Sequence, residues 1–124
     1  MTEMRNRRFT ARFRKALAEE RLREATDKLL ERVMSAPVER GFYVSVDHVV
    51  VMDRRRREGT LPRMSEMRRE MWEAIFAALD AMLAENPAMT RVDAAAEVVA
   101  TATAPRFYIS RRVAQRLVDQ SKNL

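Results

Sequence analysis

Arginine is the residue type with which this chain is best equipped to do chemistry. There are 24 basic side chains against 18 acidic ones, and 21 of the basic ones are arginines. The formal net charge is +6 and the pI is about 10.7. This excess predicts an acidic partner, with nucleic acid as the first expectation. The alternative is that an arginine-rich composition raises the pI without serving any partner.

The basic residues fall into three segments that two acidic segments separate. Residues 1–23, 54–64 and 105–124 carry +5, +4 and +4, whereas residues 24–53 and 65–104 carry −3 and −4. Basic segments that meet on one face of a fold make an anion-binding surface. Basic segments that stay apart are solvated surfaces that pair with the acidic ones.

Groups for catalysis are few, and the sequence predicts no enzyme. His48 is the one histidine, and cysteine is absent. A histidine base needs a nucleophile and a carboxylate near it, and the local sequence indicates neither. Asp47, His48 and Asp53 lack the spacing of a zinc or calcium site, and no glycine-rich loop is present to hold phosphates. We therefore expect no metal, no cofactor and no small-molecule substrate.

One short motif occurs twice. Residues 36–45 read Ala-Pro-Val-Glu-Arg-Gly-Phe-Tyr-Val-Ser, and residues 104–110 read Ala-Pro-Arg-Phe-Tyr-Ile-Ser. The aromatic pairs have two interpretations. They stack on nucleic-acid bases beside arginines, or Phe42 and Phe107 are buried anchors that fix each loop to the core. We favour anchors, because each copy precedes a serine that is placed to begin a helix.

Spacing of the apolar residues predicts helices throughout. From Phe9 apolar residues recur at steps of three and four, which indicates one helix or a pair of helices ending near Ser35, before Pro37. Residues 1–8 are polar and basic without periodicity, so they are predicted to be a disordered arm.

Residues 42–52 admit two structures. Phe42, Val44 and Val46 alternate with polar residues as in a strand, but Ser45 is also placed to cap a helix that runs into Arg57. Similarity to the second copy of the motif favours the helix, and Gly59 is placed to end it.

The widest apolar stripe lies in residues 65–85, which we predict to be a central helix that begins at Ser65. Thr90 and Ser110 are placed to cap the two helices that follow. The prediction is an all-α fold of about five helices around helix 65–85, in a single domain over residues 9–124. The similar motifs at 36–57 and 104–121 suggest a pseudo-repeat of two helix-loop-helix halves.

The C-terminal part has the outline of a helix-turn-helix unit, with Thr90–Thr101 as the supporting helix and Ser110–Ser121 as the recognition helix. The connection between them is longer than the usual turn of about three to four residues. The stretch 104–110 and the alanine-rich helix Asp93–Ala100 resemble small basic helix-turn-helix-like proteins of bacterial phages and mobile elements. That resemblance implies a role in DNA binding.

We therefore predict a small basic protein that binds double-stranded DNA, with arginine clusters on phosphates and the last helix in the major groove. The predicted DNA-binding residues are Arg5, Arg7, Arg8, Arg12, Arg54, Arg55, Arg56, Arg57, Arg106, Arg111, Arg112, Gln115 and Arg116. The alternative is a non-enzymatic assembly protein that self-associates through its methionine-rich helix.

Several features predict a cytoplasmic protein with no membrane partner. Without cysteine there is no disulfide framework, which fits a reducing compartment. No stretch of about 18 apolar residues occurs, and the basic N-terminus lacks the apolar region of a secretory signal.

Overall fold

The computed structural model describes residues 2–20, 26–39 and 41–122, and these residues form an all-helical fold. The helices are α1 (Thr2–Glu20), α2 (Thr26–Ser35), α3 (Val46–Glu58), α4 (Glu66–Glu85), α5 (Arg91–Thr101) and α6 (Arg111–Lys122). The all-α prediction is confirmed, with six helices in the described residues where the sequence predicted about five. Of the two structures considered for residues 42–52, the helix is correct: α3 begins at Val46, directly after the predicted cap Ser45.

The helices group into two compact units. Unit 1 consists of Met1–Val38 and Pro105–Leu124 and holds α1, α2 and α6. Unit 2 consists of Glu39–Ala104 and holds α3, α4 and α5. The single domain over residues 9–124 stays a prediction beside this division.

In unit 1, α1 packs against both α2 and α6. Phe9 and Phe13 of α1 are fully buried, and so are Leu29 and Leu30 of α2. The predicted disordered arm is wrong for residues 2–8, which form the first turns of α1. Burial of Phe9 holds this end of the helix on the core, and an ion pair between Glu3 and Arg7 at 2.8 Å supports the first turns. Residues 21–25, between α1 and α2, lie outside the described residues.

In unit 2, α5 packs against both α3 and α4. Its buried side chains are the small residues Ala94, Ala95 and Val98, which allow neighbouring backbones to come close. The large buried side chains come from α4, with Trp72 and Phe76 among them. The sequence predicted the helix with the widest apolar stripe to be central. Within its unit α5 approaches both other helices most closely, because its small side chains allow it, whereas α3 and α4 contact each other through longer side chains such as His48 on Trp72.

Helix ends follow the predicted caps. At four N-termini a hydroxyl oxygen accepts a hydrogen bond from the backbone N–H three residues later, at 3.1 to 3.3 Å: Ser45 from His48, Ser65 from Arg68, Thr90 from Asp93 and Ser110 from Val113. Gly59 ends α3 with φ 72°, a left-handed conformation that glycine adopts without strain.

The two copies of the Phe-Tyr motif anchor loops, as favoured above. Phe42 is 3% exposed and Phe107 is 1% exposed, so neither ring is accessible for stacking on a base. The backbone N–H of Phe107 donates to the carbonyl of Met34 at the end of α2, and that of Gly41 donates to the carbonyl of Ala102 at the end of α5. Each copy thus closes the helix that precedes the other copy, which favours the pseudo-repeat.

Candidate nucleic-acid interface

Positive charge is concentrated in unit 1. This unit holds 15 basic and 7 acidic residues, whereas unit 2 holds 9 and 11, so their formal charges are +8 and −2. Unit 1 contains residues 5–15 and 106–116, which belong to two of the three basic segments, and the packing of α1 against α6 brings these two segments into one unit. The third, residues 54–57, lies on α3 in unit 2.

Exposed cations lie on both sides of α1. Because Phe9 and Phe13 point into the core, positions seven residues apart on either side of them remain in solvent. Arg8 and Lys15 form one exposed pair, and Arg7 and Arg14 form the other. A groove of about 460 Å³ lies between α1 and α6 and is lined by Arg7 and Arg14 of α1 and by Leu117 and Gln120 of α6. Its wall also includes Glu3, the ion-pair partner of Arg7.

The last helix presents a polar face to solvent. Ala114 and Val118 are buried, Leu117 is nearly so, and Arg112 and Arg116 lie exposed one turn apart on another side. Their contact with DNA stays a prediction.

Gln115, the one glutamine among the predicted DNA-binding residues, already has a hydrogen-bond partner. Its Nε2 donates to Asp119 Oδ1 at 3.0 Å on the same helix. Contact between Gln115 and a base requires that this intrahelical hydrogen bond be given up.

Two other predicted contacts on α1, Arg5 and Arg12, are half-buried and make hydrogen bonds within unit 1. Arg5 hydrogen-bonds to Asn6 Oδ1 through Nε and Nη2, at 3.2 and 3.0 Å, and burial lowers the pKa of its guanidinium. Arg12 donates from Nη1 to the carbonyl of Pro37 at 2.7 Å, and its guanidinium lies 5.6 Å from the centre of the Phe107 ring. Arg12 therefore links α1 to the segment that follows α2 and to the segment that precedes α6.

The predicted contacts Arg106 and Arg111 lie just before α6 and at its first residue. Arg111 Nη1 bonds to Glu31 Oε1 at 2.7 Å and so links α6 to α2. The guanidinium of Arg106 lies 5.8 Å from the centre of the Tyr108 ring. Both arginines line a cavity of about 340 Å³ together with Glu31. A carboxylate in the cavity wall makes this place less suitable for a phosphate.

The arginines at 54–57 do not act as one cluster. Arg56 donates to Asp53 Oδ1 at 2.7 Å and to both oxygens of Asp80 at 2.9 Å, and Arg57 lies 3.4 Å from Asp53. Arg54 is exposed, and Arg55 lines a separate pocket in unit 2.

Asp53 is the centre of an ion network that sequence reasoning missed. It is 2% exposed, and Arg91 of α5 donates to its Oδ2 at 2.7 Å and to its Oδ1 at 3.1 Å. Burial alone would raise the pKa of this carboxyl. Hydrogen bonds and charges from Arg91 and Arg56 outweigh burial, so the pKa lies below its ordinary value. No local spacing signals a partner 38 positions away.

The predicted DNA-binding residues also leave out exposed cations of unit 1, namely Arg14 and Lys15 of α1 and two cations of α2. Lys28 and Arg32 lie one turn apart on α2, away from the buried Leu29, Leu30 and Val33. Their segment, residues 24–53, is acidic overall, so a count of charge along the chain does not reveal them. The helical spacing of the apolar residues would have shown that they share a solvent face.

The two helices of the predicted helix-turn-helix fall in different units. The packing partners of α5 in unit 2 are α3 and α4, and those of α6 in unit 1 are α1 and α2. Their pairing as one recognition unit stays a prediction.

Comparison with known proteins adds no family to this description. No protein-family model, curated protein or solved structure matches the chain. Among the described helices, none combines the length and the apolar character that crossing a membrane requires.

Proposed function

We propose that this protein binds double-stranded DNA through unit 1, with the cations of α1 and α6 on the phosphates. The observation that supports this is the charge of +8 on unit 1 beside −2 on unit 2. An unequal charge of this kind attracts a polyanion to one part of the molecule. The proposed contact surface consists of six exposed cations of α1 and α6: Arg7, Arg8, Arg14, Lys15, Arg112 and Arg116.

Recognition is assigned to α6. An α-helix fits the major groove of B-form DNA, and a glutamine side chain such as Gln115 suits the edge of adenine. Arg112 and Arg116 are exposed one turn apart, so both can meet the phosphates that border the groove from the same helix face. The cations of α1 then add contacts to the phosphates, which supply affinity without sequence preference.

Fluorescence anisotropy with a labelled duplex of about 20 base pairs tests the proposal across a salt series. Six phosphate contacts predict a slope of about −5 for the logarithm of affinity against the logarithm of salt concentration. Affinity should fall by about a thousandfold between about 50 and 200 mM salt. Absence of binding at the lowest salt would refute the proposal.

Paired variants locate the contact surface. Arg112→Gln with Arg116→Gln removes two phosphate contacts, so the slope should become shallower by about 2. The matched control is Arg54→Gln with Arg69→Gln, which removes two exposed arginines from unit 2. If the control weakens binding as much as the α6 pair does, the DNA does not bind preferentially to unit 1.

A separate measurement tests the alternative prediction, an assembly role. It assigns contact between copies to α4, on which Met67, Met71 and Met82 are half-buried. Light scattering at several protein concentrations, without DNA, measures this directly. A chain that stays monomeric but binds DNA fits the DNA proposal, and a chain that associates but binds no DNA fits the alternative.

A further inference from the structure

A second basic site lies in unit 2, where α3 turns back into α4. Gly59 ends α3 in a left-handed conformation, and α4 begins after Ser65, so a loop of a few residues joins the two helices. The turn brings together Arg55 near the end of α3, Arg63 of the loop and Arg68 in the first turn of α4. With His48 they line a pocket of about 360 Å³.

The pocket wall contains cations and no carboxylate. Its other members are aliphatic or sulfur-containing side chains and a proline, so nothing in the wall neutralises the three guanidinium groups. Like charges gathered in a partly enclosed space repel one another unless an anion joins them.

Three other arginines of the same helices already have carboxylate partners, and Arg54 of α3 is exposed outside the pocket. Arg56 and Arg57 of α3 and Arg69 of α4 each lie within 4.0 Å of a carboxylate. Arg55, Arg63 and Arg68 make no ion pair with any residue that the structure describes. Three neighbouring arginines are thus left for an anion from outside the chain.

His48 adds a donor whose position is set by the core. Its ring packs edge-on against Trp72, with centroids 4.9 Å apart and an interplanar angle of 68°. Trp72 is 1% exposed and is one of the buried residues of α4. The imidazole is therefore held at the pocket wall, with its motion limited by a buried neighbour.

We propose that this pocket binds a phosphomonoester or inorganic phosphate, held by Arg55, Arg63 and Arg68. A dianionic phosphoryl group presents three acceptor oxygens, and guanidinium groups bind such oxygens through two parallel hydrogen bonds each. The volume is at the small end of the range for ligand pockets, which suits a phosphoryl group better than a large organic ligand. The phosphoryl group comes either from a free small molecule or from the 5′ end of a nucleic-acid strand.

Trp72 gives the measurement, because it is the one tryptophan of the chain and it contacts His48. Inorganic phosphate is titrated into the full-length protein at constant ionic strength while Trp72 fluorescence is followed, and calorimetry measures the same binding. We expect saturable binding. Arg63→Gln and Arg68→Gln should each weaken it about tenfold, the effect of removing one charged hydrogen-bonding partner.

The matched control is Arg54→Gln, which changes an exposed arginine of α3 that does not line the pocket. Binding by this variant should equal that of the unaltered protein. Equal weakening by Arg54→Gln, or an equal response to chloride at the same ionic strength, would overturn the proposal. Far-UV circular dichroism confirms that each variant is folded.

Further experiments distinguish the two possible sources of the phosphoryl group, and distinguish the pocket in unit 2 from the proposed DNA-binding surface of unit 1. A short oligonucleotide with a 5′-phosphate is compared with the same strand ending in a 5′-hydroxyl, in the Arg112→Gln, Arg116→Gln background. If the 5′-phosphate tightens binding of the strand and Arg63→Gln removes that gain, the pocket takes strand ends; if the two strands bind equally while inorganic phosphate still saturates the pocket, it takes small molecules. Since this background retains the pocket, loss of duplex binding leaves phosphate binding intact, and the two proposals fail separately.

Discussion

The ion network around Asp53 gives the sharpest prediction for stability. Asp53 of α3 is 2% exposed and is the carboxylate that joins Arg56 of its own helix to Arg91 of α5. Replacing it by asparagine keeps the shape but removes the charge, and the amide N–H group then faces a guanidinium donor. Arg91 loses its carboxylate partner, whereas Arg56 keeps Asp80 and the ring of Phe76 at 4.4 Å.

The magnitude follows from how deeply the partners are buried. Breaking a fully buried ion pair by removing one partner costs about 3 to 5 kcal/mol. Here the side chains of Arg56 and Arg91 are 24% and 39% exposed, so water recovers part of their solvation. We expect Asp53→Asn to lower the free energy of unfolding by about 2 to 3 kcal/mol.

Urea denaturation followed by Trp72 fluorescence measures this loss, since the tryptophan is a buried residue of the same unit. With about 1 to 3 kcal/mol/M of urea dependence, the midpoint should fall by about 0.7 to 3 M. The control is Asp80→Asn, whose side chain is 58% exposed and should cost under about 1 kcal/mol. An equal effect of the two variants would refute the assignment of Asp53 as the centre of the network.

Acid provides an independent check on the same carboxyl. Because the folded-state pKa of Asp53 is lowered, its contribution to stability is complete above the unfolded pKa of about 4. The contribution is lost as the pH falls through the folded-state pKa. The gap in urea midpoint between the unaltered protein and Asp53→Asn should therefore be constant from pH 7 to pH 5 and should narrow below about pH 4. A gap that is as wide at about pH 3 as at pH 7 would contradict a charged Asp53.

Four further substitutions test the fold through the same urea midpoints. Gly59→Ala should cost about 1 kcal/mol, because φ is 72° and no atom lies within 4 Å of the added Cβ, so the loss comes from backbone strain alone. Ser45→Ala and Ser110→Ala should each cost about 1 kcal/mol, and clearly different losses would argue against equivalent caps in the two motif copies. Phe107→Ala should cost about 3 to 5 kcal/mol, since the ring is 1% exposed and meets Phe9 edge-on at 5.3 Å. A loss under about 1 kcal/mol would remove Phe107 as an anchor.

Helix positions were predictable because their signals are local. Ser65 and Thr90 each lie next to the N–H groups that they cap, and Gly59 ends α3 through its own backbone conformation. The segment at 46–51 was harder, since β-branched residues favour strands. Its cap at Ser45 and the burial of Val49 outweigh that preference.

Prediction of the candidate site was partial for a related reason. The sequence identified Arg112 and Arg116 as exposed cations of the last helix, and their helical spacing was sufficient for that. It also grouped Arg54–Arg57 as one phosphate-binding cluster. Their separation depends on Asp53 and Asp80, whose positions next to Arg56 arise only from packing of α3 against its neighbours.

By itself the sequence determined the class of fold, the helix ends and the basic character of the chain. These follow from residue type and from interactions over a few positions. Only the tertiary structure decided that two basic segments share unit 1 and that the third is divided between an internal ion network and a pocket. Whether an arginine meets a carboxylate or solvent depends on residues far along the chain, and burial against those residues sets its electrostatic environment.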